Sequence, residues 1–189
     1  MRTAPSQPDE APAQRRSERR WAPALGVLAV IFLVTGGADL VGGAIRERAE
    51  PIEVGEAVTV TPARGWEVES GLEEPDVSRV LLRSGRTDLL VIALSGGPVS
   101  ALEVARNYAA VLDARFAQVS IGESTVDGFE RVRFGYVGIS DDGLAIEGVV
   151  AVVSGASGDA AVFDGFAPKG SLGAAIGDLR EMVGSAEVV

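Results

Sequence analysis

Residues 77–116, VSRVLLRSGRTDLLVIALSGGPVSALEVARNYAAVLDARF, change their hydrophobic period once, and that change decides the fold. VSRVLLRS and TDLLVIALS flank Gly85-Arg86, a two-residue turn signal, and so predict a β-hairpin. From Leu89 to Leu94 every residue is apolar, the pattern of a central strand covered on both faces. Ser100-Ala-Leu-Glu103 then makes a capping box, in which serine and glutamate satisfy orphan amides of a helix start. Val99 and Val104 are placed as its hydrophobic staple. Leu102, Ala105, Tyr108/Ala109, Leu112 and Phe116 follow at helical spacing, while Glu103, Arg106, Asn107 and Asp113 face away. The spacing predicts a helix over about 100–117.

Period-two patterns surround this segment. Val58 and Val60 alternate with Thr59 and Thr61 before Pro62. In GWEVES, Trp66 and Val68 are expected on one face, opposite Glu67 and Glu69. After the helix, QVSIG leads to a strand in which Val132, Phe134 and Tyr136 alternate with Arg131 and Arg133. The turn Ser140-Asp-Asp-Gly143 connects to LAIEGVVAVVS, and Ser157-Gly-Asp159 to AAVFDGFAP. A final helix over about 171–183 aligns Leu172, Ile176, Leu179 and Val183. Gly173 and Gly177 weaken it by about 1 kcal/mol each relative to alanine, so it must depend on docking. The order β-rich, helix, β-rich, helix predicts an α+β domain over 56–189, a largely antiparallel sheet flanked by helices.

The N-terminal quarter reads differently. Trp21 to Ala38, WAPALGVLAVIFLVTGGA, carries no charge, and with Asp39 at the interface the apolar stretch reaches Ile45. Eighteen to twenty-five residues make about 27–37 Å of helix, enough to span a bilayer core. Five arginines precede the span, four of them in RRSERR, whereas Arg46 and Arg48 beyond it are interleaved with Glu47 and Glu50. The positive-inside rule then places 1–20 in the cytoplasm as a disordered tail, 21–45 across the membrane, 46–55 as a solvated linker, and 56–189 outside. A long charged region before an over-long apolar run, with no clean A-x-A site, favours an uncleaved signal anchor over a cleaved signal peptide. Gly36-Gly37 and Gly42-Gly43 permit close helix packing, and Asp39 is the one acidic residue in the span.

Composition narrows the chemistry. The chain has 189 residues, 27 acidic and 17 basic, for a net charge of −10. From residue 46 onward there are twelve Arg/Lys against twenty-three Asp/Glu, about −11 for the outer part. Duplex binding requires a positive surface, so nucleic acid is not an expected partner. With no cysteine and no histidine, thiol nucleophiles, disulfides, Cys/His zinc sites, imidazole catalysis and lipidation at cysteine all fall away. One lysine, Lys169, among seventeen basic residues, together with richness in Ala, Gly and Val, fits a GC-rich bacterial genome.

Gly65-Trp66 near the start is followed by a hairpin and an amphipathic helix. GFERVRF (128–134), Glu147-Gly148-Val149, AVFD (161–164) and a closing helix ending in MVGS (182–185) come next. In this element order and these short motifs the chain resembles the PsbP-like α/β/α sandwich superfamily, which includes extracytoplasmic domains of the LpqN and DcrB types. The resemblance covers about 56–187. It departs from the LpqN type in having a membrane span in place of a lipidated cysteine. It implies an extracytoplasmic accessory or binding role and carries no catalytic motif with it.

The residues that remain as candidates each have a plain structural reading. Asp141-Asp142-Gly143 lacks the spaced carboxylates of a calcium loop and reads as a hairpin turn. Glu73-Glu74-Pro75-Asp76 reads as a solvated loop, and Ser95-Gly96-Gly97-Pro98 as a turn rather than an anion cradle. Asp164, in a Phe-rich strand beside Gly165, is either a carboxylate of raised pKa or one that alternation turns to solvent. Arg131 and Arg133 suit an acidic partner or carboxylate ligand, or pair across strands with Asp or Glu. Trp66 reads as core. No catalytic, cofactor-binding or metal-ligating set is expected. The expected function is that of a non-enzymatic, single-pass cell-membrane protein whose outer domain binds or scaffolds an envelope protein or complex. The alternative is a small-ligand or lipid binder with an apolar pocket between sheet and helices.

Overall fold

A computed structural model describes residues 50–74, 77–95, 100–127 and 131–189. The expected tail, membrane span and first residues of the linker lie outside the described residues, as do Pro75-Asp76, Gly96 to Val99 and Gly128 to Glu130. Among the described residues no helix is long and apolar enough to cross a membrane.

The described part is an α+β arrangement built on one antiparallel sheet. Its strands are β3 (Glu67–Glu74), β4 (Val77–Ser84), β5 (Thr87–Leu94), β6 (Ala117–Ile121), β7 (Thr125–Asp127), β8 (Arg131–Ile139), β9 (Ala145–Ser154) and β10 (Ala160–Pro168). Their order across the sheet is β3-β4-β5-β10-β9-β8-β6, with β7 also pairing β8. The expected hairpin is β4–β5, closing at the Ser84–Thr87 pair around Gly85-Arg86. β5 lies between β4 and β10, and Leu89 to Ala93 are all buried, as a strand covered on both faces requires. β10 is likewise central, between β5 and β9.

One face is covered by α1 (Ala101–Arg115), whose Ser100 Oγ accepts from the Glu103 amide at 3.2 Å. Its buried stripe is Ala101, Val104, Ala105, Tyr108 and Leu112, lying against β8, β9 and β10. The other face is covered in two pieces. A small sheet of β1 (Ile52–Val54), β2 (Val58–Val60) and β11 (Glu187–Val188), in the order β1-β2-β11, packs over β4 and β5. A 3-10 turn (Leu172–Ala174) and α2 (Ile176–Gly184) lie over β10. Leu179 and Met182 of α2 join Phe163, Leu89 and Trp66 in the core on that side.

Two expectations are corrected. The linker does not run to residue 55: Ile52–Val54 pairs with β2, and Val54 is buried in the core. Trp66 and Val68 do not share a face, since Trp66 is 7% exposed and Val68 52%. Trp66 lies before the strand begins, so the period of two does not reach it, and a register shift follows between Val68 and Ser70. Trp66 precedes β3, and its indole Nε1–H donates to Asp178 Oδ2 of α2 at 3.0 Å.

Candidate functional site

Among the described residues the cover of the second face is incomplete, and the gap is the candidate site. α2 has nine residues, about 14 Å of helix, and sits close above β10. A Cβ on Gly165 would stand 2.7 Å from Leu179 Cδ1, so glycine there sets how near the helix comes. β9 and β8 extend beyond it with nothing lying over them from α2. The result is a cavity of about 560 Å³, open to solvent along one side.

Register defines its floor row by row. Arg131 stands beside Val153, Arg133 beside Ala151 and then Phe163, and Gly135 beside Val149 and then Gly165. Small or branched apolar side chains therefore make the bottom. Ile176, Leu179 and Val183 of α2 make one wall, and Thr125 of β7 lies at the other edge. Three cations, Arg131, Arg133 and Arg180, border the cavity, and among the described residues no carboxylate lines it. Two of the nearby acids are held by other contacts. Asp178 holds Trp66, and Glu147 Oε1 accepts the amides of Gly170 and Leu172 at 2.9 Å each. Glu181 is exposed on α2, and Asp127 stands opposite Arg131 in the register.

On the opposite face, beneath α1, lies a sealed polar cluster. Asp164 is 0% exposed. Its Oδ2 accepts from the Tyr108 hydroxyl at 2.8 Å and from Arg115 Nη1 at 3.4 Å, and its Oδ1 accepts from the Tyr136 hydroxyl at 2.8 Å. Burial raises the Asp164 carboxyl above its ordinary value, against the opposing pull of Arg115 and the two hydroxyls. Burial, joined by the Asp164 charge, pushes both tyrosines well above theirs, so they remain donors. The Arg115 guanidinium lies over Phe116 (4.7 Å) and Phe166 (4.5 Å), which fixes its plane toward the carboxylate. Tyr136 reaches Asp164 across Gly148, where an added Cβ would stand 2.3 Å from the tyrosine ring. Sheltered this way, the cluster joins α1, β8 and β10. It presents no reacting group to the groove across the sheet.

Asp164 therefore takes the raised-pKa option and not the solvent-facing one. β10 has no solvent face: Phe163 and Gly165 serve the α2 side, while Val162 and Asp164 serve the α1 side. Arg131 and Arg133 are exposed, alternating as expected with buried Val132, Phe134 and Tyr136. Ser140 to Gly143 is the β8–β9 turn, with the Gly143 amide donating to Ser140 O at 2.8 Å. Among the described residues no group of three or more acidic side chains is placed to hold a metal. Sequence reasoning missed Arg180 and Thr125, which the fold alone brings to the groove. It also missed Tyr108 and Arg115 as partners of Asp164, although their seven-residue spacing on one helix face is a usable signal.

No family model matches the chain, and no curated protein does. Solved structures do. The Ran-binding protein Mog1p of Saccharomyces cerevisiae superimposes with a TM-score of 0.51 at 14% identity, over 75% of this chain and 96% of that one. Cyanobacterial PsbP from Synechocystis sp. PCC 6803 superimposes with a TM-score of 0.54 at 17% identity, over 80% of this chain and 98% of that one. At such identities the likeness speaks for architecture alone. The resemblance read from the motifs holds at that level, and the domain has the PsbP-like fold.

Proposed function

We propose that this chain is a non-enzymatic, single-pass cell-membrane protein, anchored by 21–45 with its N-terminus in the cytoplasm. Its PsbP-like domain then stands outside and binds or scaffolds an envelope protein or membrane complex. The observation that carries the binding role is the arginine-bordered apolar groove between α2 and β8–β9. It is a concave, largely apolar surface with a few convergent charged groups, the usual form of a recognition site. That the yeast neighbour is a Ran-binding protein supports protein recognition as a use of this fold. The anchor and its orientation rest on the uncharged stretch from Trp21 to Ala38 and the arginines before it.

The test is crosslinking in native membranes, mild-detergent purification and mass spectrometry, comparing the full chain with one lacking 52–189. A stoichiometric partner that disappears with the domain, and weakens in Arg131→Gln/Arg180→Gln, is expected. A protein that purifies alone under these conditions refutes the scaffold. Protease added to spheroplasts is expected to remove 52–189 and spare 1–20; the reverse pattern refutes the orientation. The groove's volume favours a second reading, the binding of a small ligand or lipid, because about 560 Å³ lies within the roughly 300–1,000 Å³ typical of small-molecule sites.

A further inference from the structure

We propose that the groove takes a single-chain lipid with an anionic head, its acyl chain on the β8–β9 floor and its head between Arg131 and Arg180. The inference rests on that second reading of the groove and names the occupant's chemistry. Three observations carry it.

The floor is continuous and apolar. Val149, Ala151 and Val153 are successive same-face residues of β9, spaced by about 7 Å along the strand. Leu179 and Val183 face them from α2. Such a trough suits a methylene chain, which needs contact along its length and no hydrogen bonds.

The charge is concentrated against the trend of the domain. The outer part carries about −11, yet three of its twelve cations border this one cavity, and among the described residues no carboxylate lines it. Arg131 and Arg180 are both exposed, from opposite sides of the trough. Arg133 has a contact of its own, so the head is assigned to Arg131 and Arg180. Guanidinium groups bind carboxylate and phosphate heads through paired charge-assisted bonds.

The size selects a single chain. A cavity of about 560 Å³ falls within the small-ligand range, and its open side leaves the head at the surface beside the arginines. β6 and β7 already pair with β8, so a peptide cannot join that strand of the sheet by backbone hydrogen bonds.

The test uses the full-length chain in phosphatidylcholine vesicles with diazirine-bearing palmitate, and diazirine-bearing hexadecanol as the uncharged counterpart. Crosslinked peptides are mapped by mass spectrometry. Palmitate is expected to label peptides containing 149–153 and 176–183 at least tenfold more than hexadecanol. Arg131→Gln/Arg180→Gln is expected to lower that labelling at least tenfold while labelling of 21–45 stays constant. Ala151→Phe, which fills the floor and leaves the arginines, is expected to lower it equally, with circular dichroism confirming the fold of each variant. Competition by unlabelled palmitate or by palmitoyl lysophosphatidate distinguishes a carboxylate from a phosphate head, and either supports the assignment. Equal labelling by the alcohol, label absent from the groove, or label indifferent to both variants overturns it. If a protein partner is then lost with Arg131→Gln/Arg180→Gln, the groove is a protein-docking site and only the lipid is refuted. If neither readout responds, the groove reading fails as well.

Discussion

Tyr136→Phe tests whether the buried Asp164 cluster holds the domain together. The substitution removes one hydroxyl and leaves the ring, which stacks on Phe116 at 5.8 Å between centroids and lies over Gly148. The lost bond, 2.8 Å to a fully buried carboxylate, belongs to the class worth about 1.5–3 kcal/mol. The cost falls at the upper end, because among the described residues Tyr136 supplies the hydrogen bond to Oδ1 while Tyr108 and Arg115 share Oδ2. Tyr108→Phe should cost less, since Oδ2 keeps Arg115 at 3.4 Å. The assay is urea unfolding of the full chain carrying Trp21→Phe, so that buried Trp66 is the sole tryptophan reporter. A loss under about 0.5 kcal/mol for Tyr136→Phe, or a larger loss for Tyr108→Phe, refutes the reasoning.

The same cluster fixes the sign of a pH effect. Burial raises the Asp164 carboxyl above its ordinary value, so the folded state holds a proton that the unfolded state has already released. Its stabilising contribution is therefore fully present below the ordinary carboxylate value, near 3.9, and is lost as pH rises through the raised folded value. Across that window the native protein should lose up to about 1.4 kcal/mol per pH unit relative to Asp164→Asn, and run parallel to it above. Tyr136→Phe removes a bond favouring the charged form, so its window should extend to higher pH. A native protein that instead gains on Asp164→Asn as pH rises would mean that Arg115 and the hydroxyls outweigh burial.

Three further substitutions probe the packing. Gly148→Ala puts a methyl 2.3 Å from the Tyr136 ring and is expected to destabilise by about 1–3 kcal/mol. Adding Tyr136→Phe should rescue little of this, because the ring and not the hydroxyl is hit; unfolding midpoints check both. Met182→Ala empties a fully buried position beneath α2 and should cost about 2–5 kcal/mol, with α2 amides losing hydrogen-exchange protection first. Ser100→Ala removes the cap on α1 and should cost about 1 kcal/mol by urea unfolding, with Ser100→Asp restoring it.

What could be read from the chain and what could not divide along physical lines. The β4–β5 hairpin, α1 and the alternation in β8 are local, each decided by a turn or a period within a dozen residues. Strand β1 was illegible because IEV has one core residue, and its partners include β2 and, through it, a strand more than a hundred residues on. Trp66 and Val68 misled because alternation holds only within a strand, and Trp66 lies before β3, in a turn where its amide donates to Ala63 O. Asp164 was half legible. In AAVFDGFA the apolar residues occupy both parities, so the strand has no wet face, and a carboxylate there must find partners inside. Its partners come from α1 and β8, which only the closed sheet brings near. The groove was not legible at all, since it arises from a difference in reach. A nine-residue helix and a three-stranded flap must cover a face as wide as the one opposite, where the cover is a fifteen-residue helix. Among the described residues they leave part of β8 and β9 open, where Gly135, Ala151 and the arginines of β8 lie. A polar remainder would read as ordinary solvated sheet. An apolar floor bordered by guanidinium groups, on an otherwise acidic domain, offers contact to a chain and charge to a head, which is the physical reason to look for a ligand there.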